Sequence, residues 1–388
     1  MFTREGFLSR YLKLIIGVVG LFLVLNAGCT HPVLNNSGIY PRLESTPTNS
    51  EIIDQNEVIF TPTIIPAILN TPIEMMVPYT KTSIWNTPIG PSPKYDPYSD
   101  EMIANLVLAH HGKIITPDTY NYPVYFADAD TPRWDVPCTV YRCAESTPDG
   151  GIRTDMLKDV PIPPNARPSP DSDARMIIID KVTYAEYDFW RAERVETGWT
   201  TASGSTYNLL WDGTSSTNNS RGSGIPSYAG LLRPWEILQR RIKHTLAFGF
   251  TEPTEAKCVF PASKTDGDST LPFAIPEGAR LQLDPSLTEE DFDQMGLNRT
   301  GKIIAQALQE YGMILVDHSG SFPLYIEDLT NNPYVTQAWT DPGLNLTKET
   351  IYGIPYTYFQ VLELPPGYWD PLAEGHYHGK CFTFPGVQ

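Results

Sequence analysis

Two stretches of the chain repeat their apolar residues at helical spacing. Ser99 to His111 places Met102, Ile103, Leu106, Val107 and Ala109 on one side behind Ser99 as a cap, and Thr300 to Gly312 repeats the pattern with Gly312 closing the helix. A third helix is expected from Arg233 to Phe248: Pro234 and Glu236 suit its first turn, and Ile237, Leu238, Ile242, Thr245 and Leu246 form its inward face. His244 lies beside that face. Elsewhere the pattern is strand-like and short: Tyr122 to Phe126, Met176 to Asp180, Tyr184 to Trp190, Leu281 to Leu283 and Met313 to Val316. Residues 146 to 174 are rich in Pro, Asp and Gly and read as one long loop. Short strands, frequent turns and few helices predict a mainly β fold, a single β-sandwich or jelly-roll-like domain with about three helices. No regular strand–helix alternation calls for a parallel sheet.

The first 80 residues follow another pattern. Arg4, Arg10 and Lys13 precede an apolar run from Leu14 to Leu25, and then comes Asn26-Ala27-Gly28-Cys29. The run has the length of a signal-peptide core and is short for a membrane span. Small residues before Cys29 resemble the bacterial lipobox, although Asn26 stands where a Leu is usual. Residues 1–28 are therefore expected to be a lipoprotein signal peptide, with Cys29 lipidated. Residues 29–80, rich in Pro and Thr, read as a stiff tether, and 81–388 as a β-rich extracellular domain. The expected location is the outer face of a cell membrane or cell envelope, anchored by lipid alone.

Composition narrows the partners. Pro (36) and Tyr (21) are abundant, Lys and Arg together number 28, and the net charge is −17. A nucleic-acid partner needs a basic face and is excluded as an expectation. Extracellular glycans suit an acidic surface dotted with aromatic rings. Five Cys is an odd count for an exported chain, and lipidation of Cys29 leaves Cys138, Cys143, Cys258 and Cys381. Four Cys allow three connectivities. The preferred one closes the short loop Cys138–Cys143 and ties Cys258 to Cys381.

The densest chemistry lies between Arg175 and Phe248. Strand alternation puts Glu186, Asp188 and Trp190 on one face, which is either a solvated outer face or an acid/base pair beside a sugar platform. His244 is a core residue or a base, and Asp317, at the end of an apolar strand, is its candidate proton-transfer partner. Trp190 and Trp199 are candidate stacking residues, and Arg233 would hold a substrate carboxylate. Asp128 with Asp130, or Asp266 with Asp268, could ligate calcium, although neither forms a full calcium loop, and no cofactor is otherwise expected. Glu374, His376 and His378 alternate near the C-terminus and would form a divalent-metal set if that segment were a strand.

Several phrases together resemble a group of secreted bacterial proteins, frequent in actinobacteria, for which no activity is established. They are Tyr187-Asp-Phe-Trp190, Gly230-Leu-Leu-Arg-Pro-Trp-Glu236, Ile242-Lys-His-Thr-Leu-Ala-Phe248, Lys264-Thr-Asp-Gly267, Ile275-Pro-Glu-Gly-Ala-Arg280 and Tyr311-Gly-Met-Ile-Leu-Val-Asp317. The likeness covers residues 83 to 362. It implies one extracellular domain and no particular reaction. Those proteins carry a His in an Asp-x-His-Met phrase where this chain has Arg175 in Asp173-Ala-Arg-Met176. The leading functional expectation is a surface-tethered carbohydrate-active protein, a glycoside hydrolase or polysaccharide lyase. The alternative is a non-catalytic glycan-binding or structural envelope lipoprotein.

Overall fold

The computed structural model describes residues 73–109, 113–115, 120–147, 150–215, 221–255, 257–328, 345–365 and 379–380, all within one compact unit spanning 68–388. Cys29, the signal segment and most of the tether lie outside them, as do Cys381, Glu374, His376 and His378. The fold is mainly β, with 32% strand against 15% helix.

Two six-stranded sheets carry the architecture. The first runs in the order β1 (Lys113–Ile115), β16 (Phe322–Leu324), β12 (Leu246–Phe250), β15 (Met313–His318), β14 (Arg280–Leu283) and β17 (Phe359–Val361). The second runs β2 (Val124–Ala127), β7 (Met176–Asp180), β8 (Ala185–Trp190), β11 (Ser203–Asn208), β4 (Cys143–Thr147) and β5 (Gly150–Thr154). Both sheets are mixed. β12 pairs with β15, and β2 with β7, in parallel, while β7–β8 and β8–β11 are antiparallel. This departs from the expected absence of parallel pairing. The connections between the parallel neighbours are long and mixed: four strands separate β2 from β7, and two strands with the helices Glu289–Gln294 and Arg299–Glu310 separate β12 from β15, so no regular one-strand, one-helix alternation signals them.

Strand alternation sorts the apolar residues into three cores. From β12 and β15, Leu246, Phe248, Phe250, Met313 and Leu315 face the helices α1 (Ser99–Leu108), α3 (Glu289–Gln294) and α4 (Arg299–Glu310). Their neighbours Ala247, Ile314 and Val316 face the second sheet, where Val124, Ile177 and Ile179 meet them. The other face of the second sheet, with Met176, Ile178 and Phe189, is covered by Val136 of β3 (Arg133–Pro137) and by Leu157 and Val160 of β6 (Met156–Pro161). A strand buried on both faces reads as a continuous apolar run, which is what Met176 to Ile179 and Met313 to Val316 are. Two short pairs complete the set: β9 (Glu193–Val195) with β10 (Gly198–Thr200), and β13 (Lys264–Thr265) with β18 (Gly379–Lys380).

Helix α1 forms where expected, but Ser99 is its first helical residue and not its cap: Tyr98 takes the cap position, and the Ser99 hydroxyl accepts from the Val361 amide, 2.9 Å, while α4 ends at Glu310 with Gly312 in the left-handed conformation, φ +67°. The expected helix from Arg233 to Phe248 is a correction. Only α2 (Pro234–Leu238) is helical, the chain turns at Arg240 with φ 59°, and Leu246–Phe250 is strand β12. Short apolar runs fit either period, and here burial on both faces favours the strand. The expected loop 146–174 also contains β5 and β6. Cys138 and Cys143 form a disulfide with Cα atoms 5.6 Å apart. Cys258 is disulfide-bonded as well.

Gly278, between Glu277 and β14, has φ +87°, and a Cβ there would lie 1.7 Å from the carbonyl oxygen of Val259. Gly278→Ala is expected to cost more than about 2 kcal/mol, through backbone strain and steric overlap together, read from the urea unfolding midpoint.

Candidate functional site

The C-terminal end of β15 is where the polar chemistry gathers. Asp317 follows four buried apolar residues and is itself 4% exposed. Its Oδ2 accepts from Arg175 Nη2 at 2.9 Å and from the Tyr325 hydroxyl at 3.0 Å, and its Oδ1 accepts from the Gly222 amide at 3.1 Å. Arg175 stands one residue before β7, so the contact joins the two sheets. Its Nη2 also meets Asp173 at 3.1 Å, and its Nη1 donates to the Tyr122 hydroxyl. Arg221 donates to the same hydroxyl through Nε, 3.2 Å, and fixes the carbonyls of Pro226, Ser227 and Ala229. Both guanidiniums lie over the Tyr122 and Tyr325 rings, 5.0 to 5.5 Å from the centroids. Burial, and then the negative charge of Asp317, push the Tyr325 phenol well above its ordinary range, so it keeps its proton.

Arg175, Asp173 and Tyr325 open onto a pocket of about 590 Å³, which Tyr120, His318, Ser319, Pro323 and Lys348 also line. His318 is partly exposed, and its Nε2 lies 3.8 Å from an Asp268 carboxylate oxygen. Behind the pocket wall the His318 amide donates to Asp266 Oδ1, 3.2 Å, and the Asp266 amide donates to Glu277 Oε2, 3.3 Å. Burial, then the charge of Asp266, raises the Glu277 carboxyl well above its ordinary value, and burial, then the charge of Asp317, raises that of Asp266.

Glu186 and Asp188 share a face, as strand alternation requires, but it is the face between the sheets. Both are 0% exposed. Their expected reading as a solvated outer face is therefore corrected, and an open acid/base cleft at this point is not what the packing provides. Glu186 accepts from Tyr79 Oη and from the Tyr228 amide, 2.9 Å each, and Asp188 from the Ser227 amide, 2.9 Å. Burial, then the neighbouring Asp188, raises the Glu186 carboxyl well above 4.5. The sign of the pH effect follows. The folded state holds a proton that the unfolded state releases above about pH 4.5, so stability declines as pH rises from there. Glu186→Gln, an isostere of the protonated form, is expected to flatten that decline, measured as unfolding midpoint against pH.

His244 belongs to a separate buried cluster. Its Nε2 lies 3.0 Å from Glu236, its Nδ1 lies 2.8 Å from the Thr245 carbonyl, and Glu236 also binds Arg233. Both ring nitrogens are occupied by protein oxygens, which leaves no free position for a substrate. Arg233 is 1% exposed and committed to Glu236 and the Met76 carbonyl, so it is not placed to hold a substrate carboxylate. Trp199 is 4% exposed in the third core and is corrected from a stacking platform to a packing residue. Trp190 stays partly exposed. Its Nε1 donates to Asp173, 3.2 Å, and Arg191 covers one face of its ring at 4.3 Å. Asp128 and Asp130 lie in an exposed turn after β2, where Asp128 caps Thr131.

No family model, curated protein or solved structure matches this chain.

Of the sequence-selected residues, Asp317 and Trp190 bond to residues that line the pocket, while Glu186, Asp188, His244, Arg233 and Trp199 are interior. One segment, Arg221 to Glu236, links the buried groups: its amides cap Asp188 and Glu186, and its two ends carry Arg221 and the Arg233–Glu236 pair. Sequence reasoning missed Tyr122, Arg221, Glu277 and Tyr325. Tyr122 and Tyr325 look like ordinary strand aromatics, and Glu277 sits in a Pro-Glu-Gly turn. Arg175 had one signal, the substitution within the resembling Asp-x-His-Met phrase.

Proposed function

We propose that this protein is an exported, lipid-anchored carbohydrate-active protein that works on an anionic extracellular glycan as a polysaccharide lyase. The observation that carries the reading is the pocket beside Asp317. On a chain of net charge −17, it is lined by Arg175, Lys348 and His318 together with Tyr325 and Tyr120. Cationic side chains beside a histidine and a phenol suit a uronate unit.

In this reading Arg175 and Lys348 engage the sugar carboxylate and stabilise the charge that spreads onto it. His318 removes the proton from the carbon next to that carboxylate. The carbon–oxygen bond to the leaving sugar breaks, a carbon–carbon double bond forms, and Tyr325, which retains its proton, protonates the leaving oxygen. Asp317 is a positioning residue that holds Arg175 and Tyr325. The proteins this chain resembles would present an imidazole in place of Arg175 in the same pocket.

The test is incubation with uronate-containing polysaccharides, reading the ultraviolet absorbance of the new double bond. Tyr325→Phe and His318→Ala are each expected to lower kcat by about 10²–10⁴-fold with the fold retained. Equal rates in both variants and the unaltered protein would overturn the mechanism. A non-catalytic glycan-binding role has one specific observation in its favour: both oxygens of Asp317 are already taken by protein donors. Saturable glycan binding without any product would favour it.

A further inference from the structure

The carboxylates of Asp266, Glu277 and Asp317 converge just inside the pocket wall, each offering an oxygen within 4.8 Å of the others. Three elements bring them together: the end of β13, the turn before β14 and the end of β15. Charge alone does not make such a cluster a site, but two further observations point to an occupant. Glu277 is 0% exposed, and its Oε1 is buried without any hydrogen-bond partner. An ionised oxygen in that state is costly unless something positive meets it. The second observation is Gly222. A Cβ there would lie 2.1 Å from Asp266 Oδ1, and the Gly222 amide donates to Asp317 Oδ1. The missing side chain leaves room for the Asp266 carboxylate to turn toward the other two.

Nearby positive groups do not close the account. Arg175 is paired with Asp317 on its pocket side. Lys264 is buried beside the cluster and interacts electrostatically with all three carboxylates, with Arg153 repelling it, yet it forms no ion pair with any of them. The His318 ring is directed to Asp268, and only its amide reaches Asp266.

We propose that Asp266, Glu277 and Asp317 form a binding site for a hard divalent cation, with calcium as its ligand of choice. Oxygen-only donors select calcium, magnesium or manganese over softer metals. Calcium–oxygen distances of about 2.3–2.6 Å place opposite ligands about 5 Å apart, and water completes a shell of about 6–8 oxygens. The span of this triad fits that diameter. A cation here would tie β13 and the β14 turn to Asp317, and through it fix Arg175 and Tyr325 at the pocket. The site is defined by geometry independent of any lyase activity.

The experiment is calorimetric titration of the full chain, stripped with a chelator, with calcium chloride and then magnesium chloride. One calcium per chain is expected, with Kd on the order of 0.1–1 mM, weaker magnesium binding, and a rise in unfolding midpoint on adding calcium. Glu277→Gln is expected to weaken calcium at least about tenfold by removing one ligand charge. Gly222→Ala, whose Cβ displaces only the end of the Asp266 side chain, is expected to do the same and carries the test if Glu277→Gln fails to fold. No uptake of calcium or magnesium at millimolar concentration would overturn the proposal and assign the triad a shared proton. Unchanged calcium binding in both variants would overturn it equally, by locating the ion elsewhere.

Discussion

Replacing Arg175 with alanine is expected to lower folding stability by about 3–5 kcal/mol and, on the proposed lyase reading, to abolish turnover as well. Asp317 loses its guanidinium partner while its side chain stays 5% exposed, so a carboxylate is left buried against Tyr325 and the Gly222 amide alone. The Tyr122 hydroxyl loses one of its two donors, and the contact between the sheets loses its only side-chain ion pair at that point among the described residues. Arg175→Lys keeps the charge but cannot reach Asp173, Asp317 and Tyr122 at once, because an ammonium lacks the planar fork. It is expected to recover less than half of the loss. Combining Arg175→Ala with Asp317→Ala should cost less than the sum of the single changes, because the stranded charge is then gone. Urea unfolding of the unaltered protein and the four variants measures all three expectations. Fully additive losses would show that the pair does not interact in the folded state.

Glu236→Ala is the second large effect, again about 3–5 kcal/mol. Its carboxylate serves Arg233, whose side chain is 2% exposed, and His244, whose side chain is 4% exposed, and it also caps the Arg233 amide at 3.0 Å. Removing it leaves the buried Arg233 guanidinium without its carboxylate and the His244 Nε2 without its partner. Burial works against the Glu236 charge, but His244 and Arg233 outweigh it and hold the carboxyl below 4.5. The pH dependence has the opposite sign to that of Glu186. A lowered carboxyl contributes stability above its unfolded value that is lost as pH falls through the folded one, so the unaltered protein should weaken on acidification and Glu236→Gln should weaken less steeply. Activity separates this cluster from the pocket. On the proposed lyase reading, His244→Gln is expected to destabilise the fold while leaving kcat per folded molecule unchanged, measured at a temperature where both proteins are folded.

Much of the fold was legible because burial imprints a period. Met176 to Ile179 and Met313 to Val316 read as strands and are strands buried on both faces, and Gly312 marks a helix end through its left-handed conformation. The run from Thr245 to Phe250 failed the same test. Six residues fit either period, and what decides is that Phe248 and Ala247 meet different cores. The site was far less legible. Alternation correctly put Glu186 and Asp188 on one face, but which face meets solvent depends on what packs against it, and here that is a sheet whose strands come from distant parts of the chain.

By itself, the amino-acid sequence determined the local period, the class of fold and the position of Asp317 at the end of a buried strand, and it favoured without fixing the short disulfide Cys138–Cys143 that the structure forms. Tertiary structure alone decided which polar residues meet. Asp317 reaches back 142 residues to Arg175, and Glu277 reaches Asp266 and Asp317 across three different elements. Those contacts carry no period and no spacing rule, because side-chain charge interacts through space and the chain fixes only neighbours along its length. The stretch from Arg175 to Phe248 therefore contributes both to a pocket and to a solid interior, and packing sets the division between them.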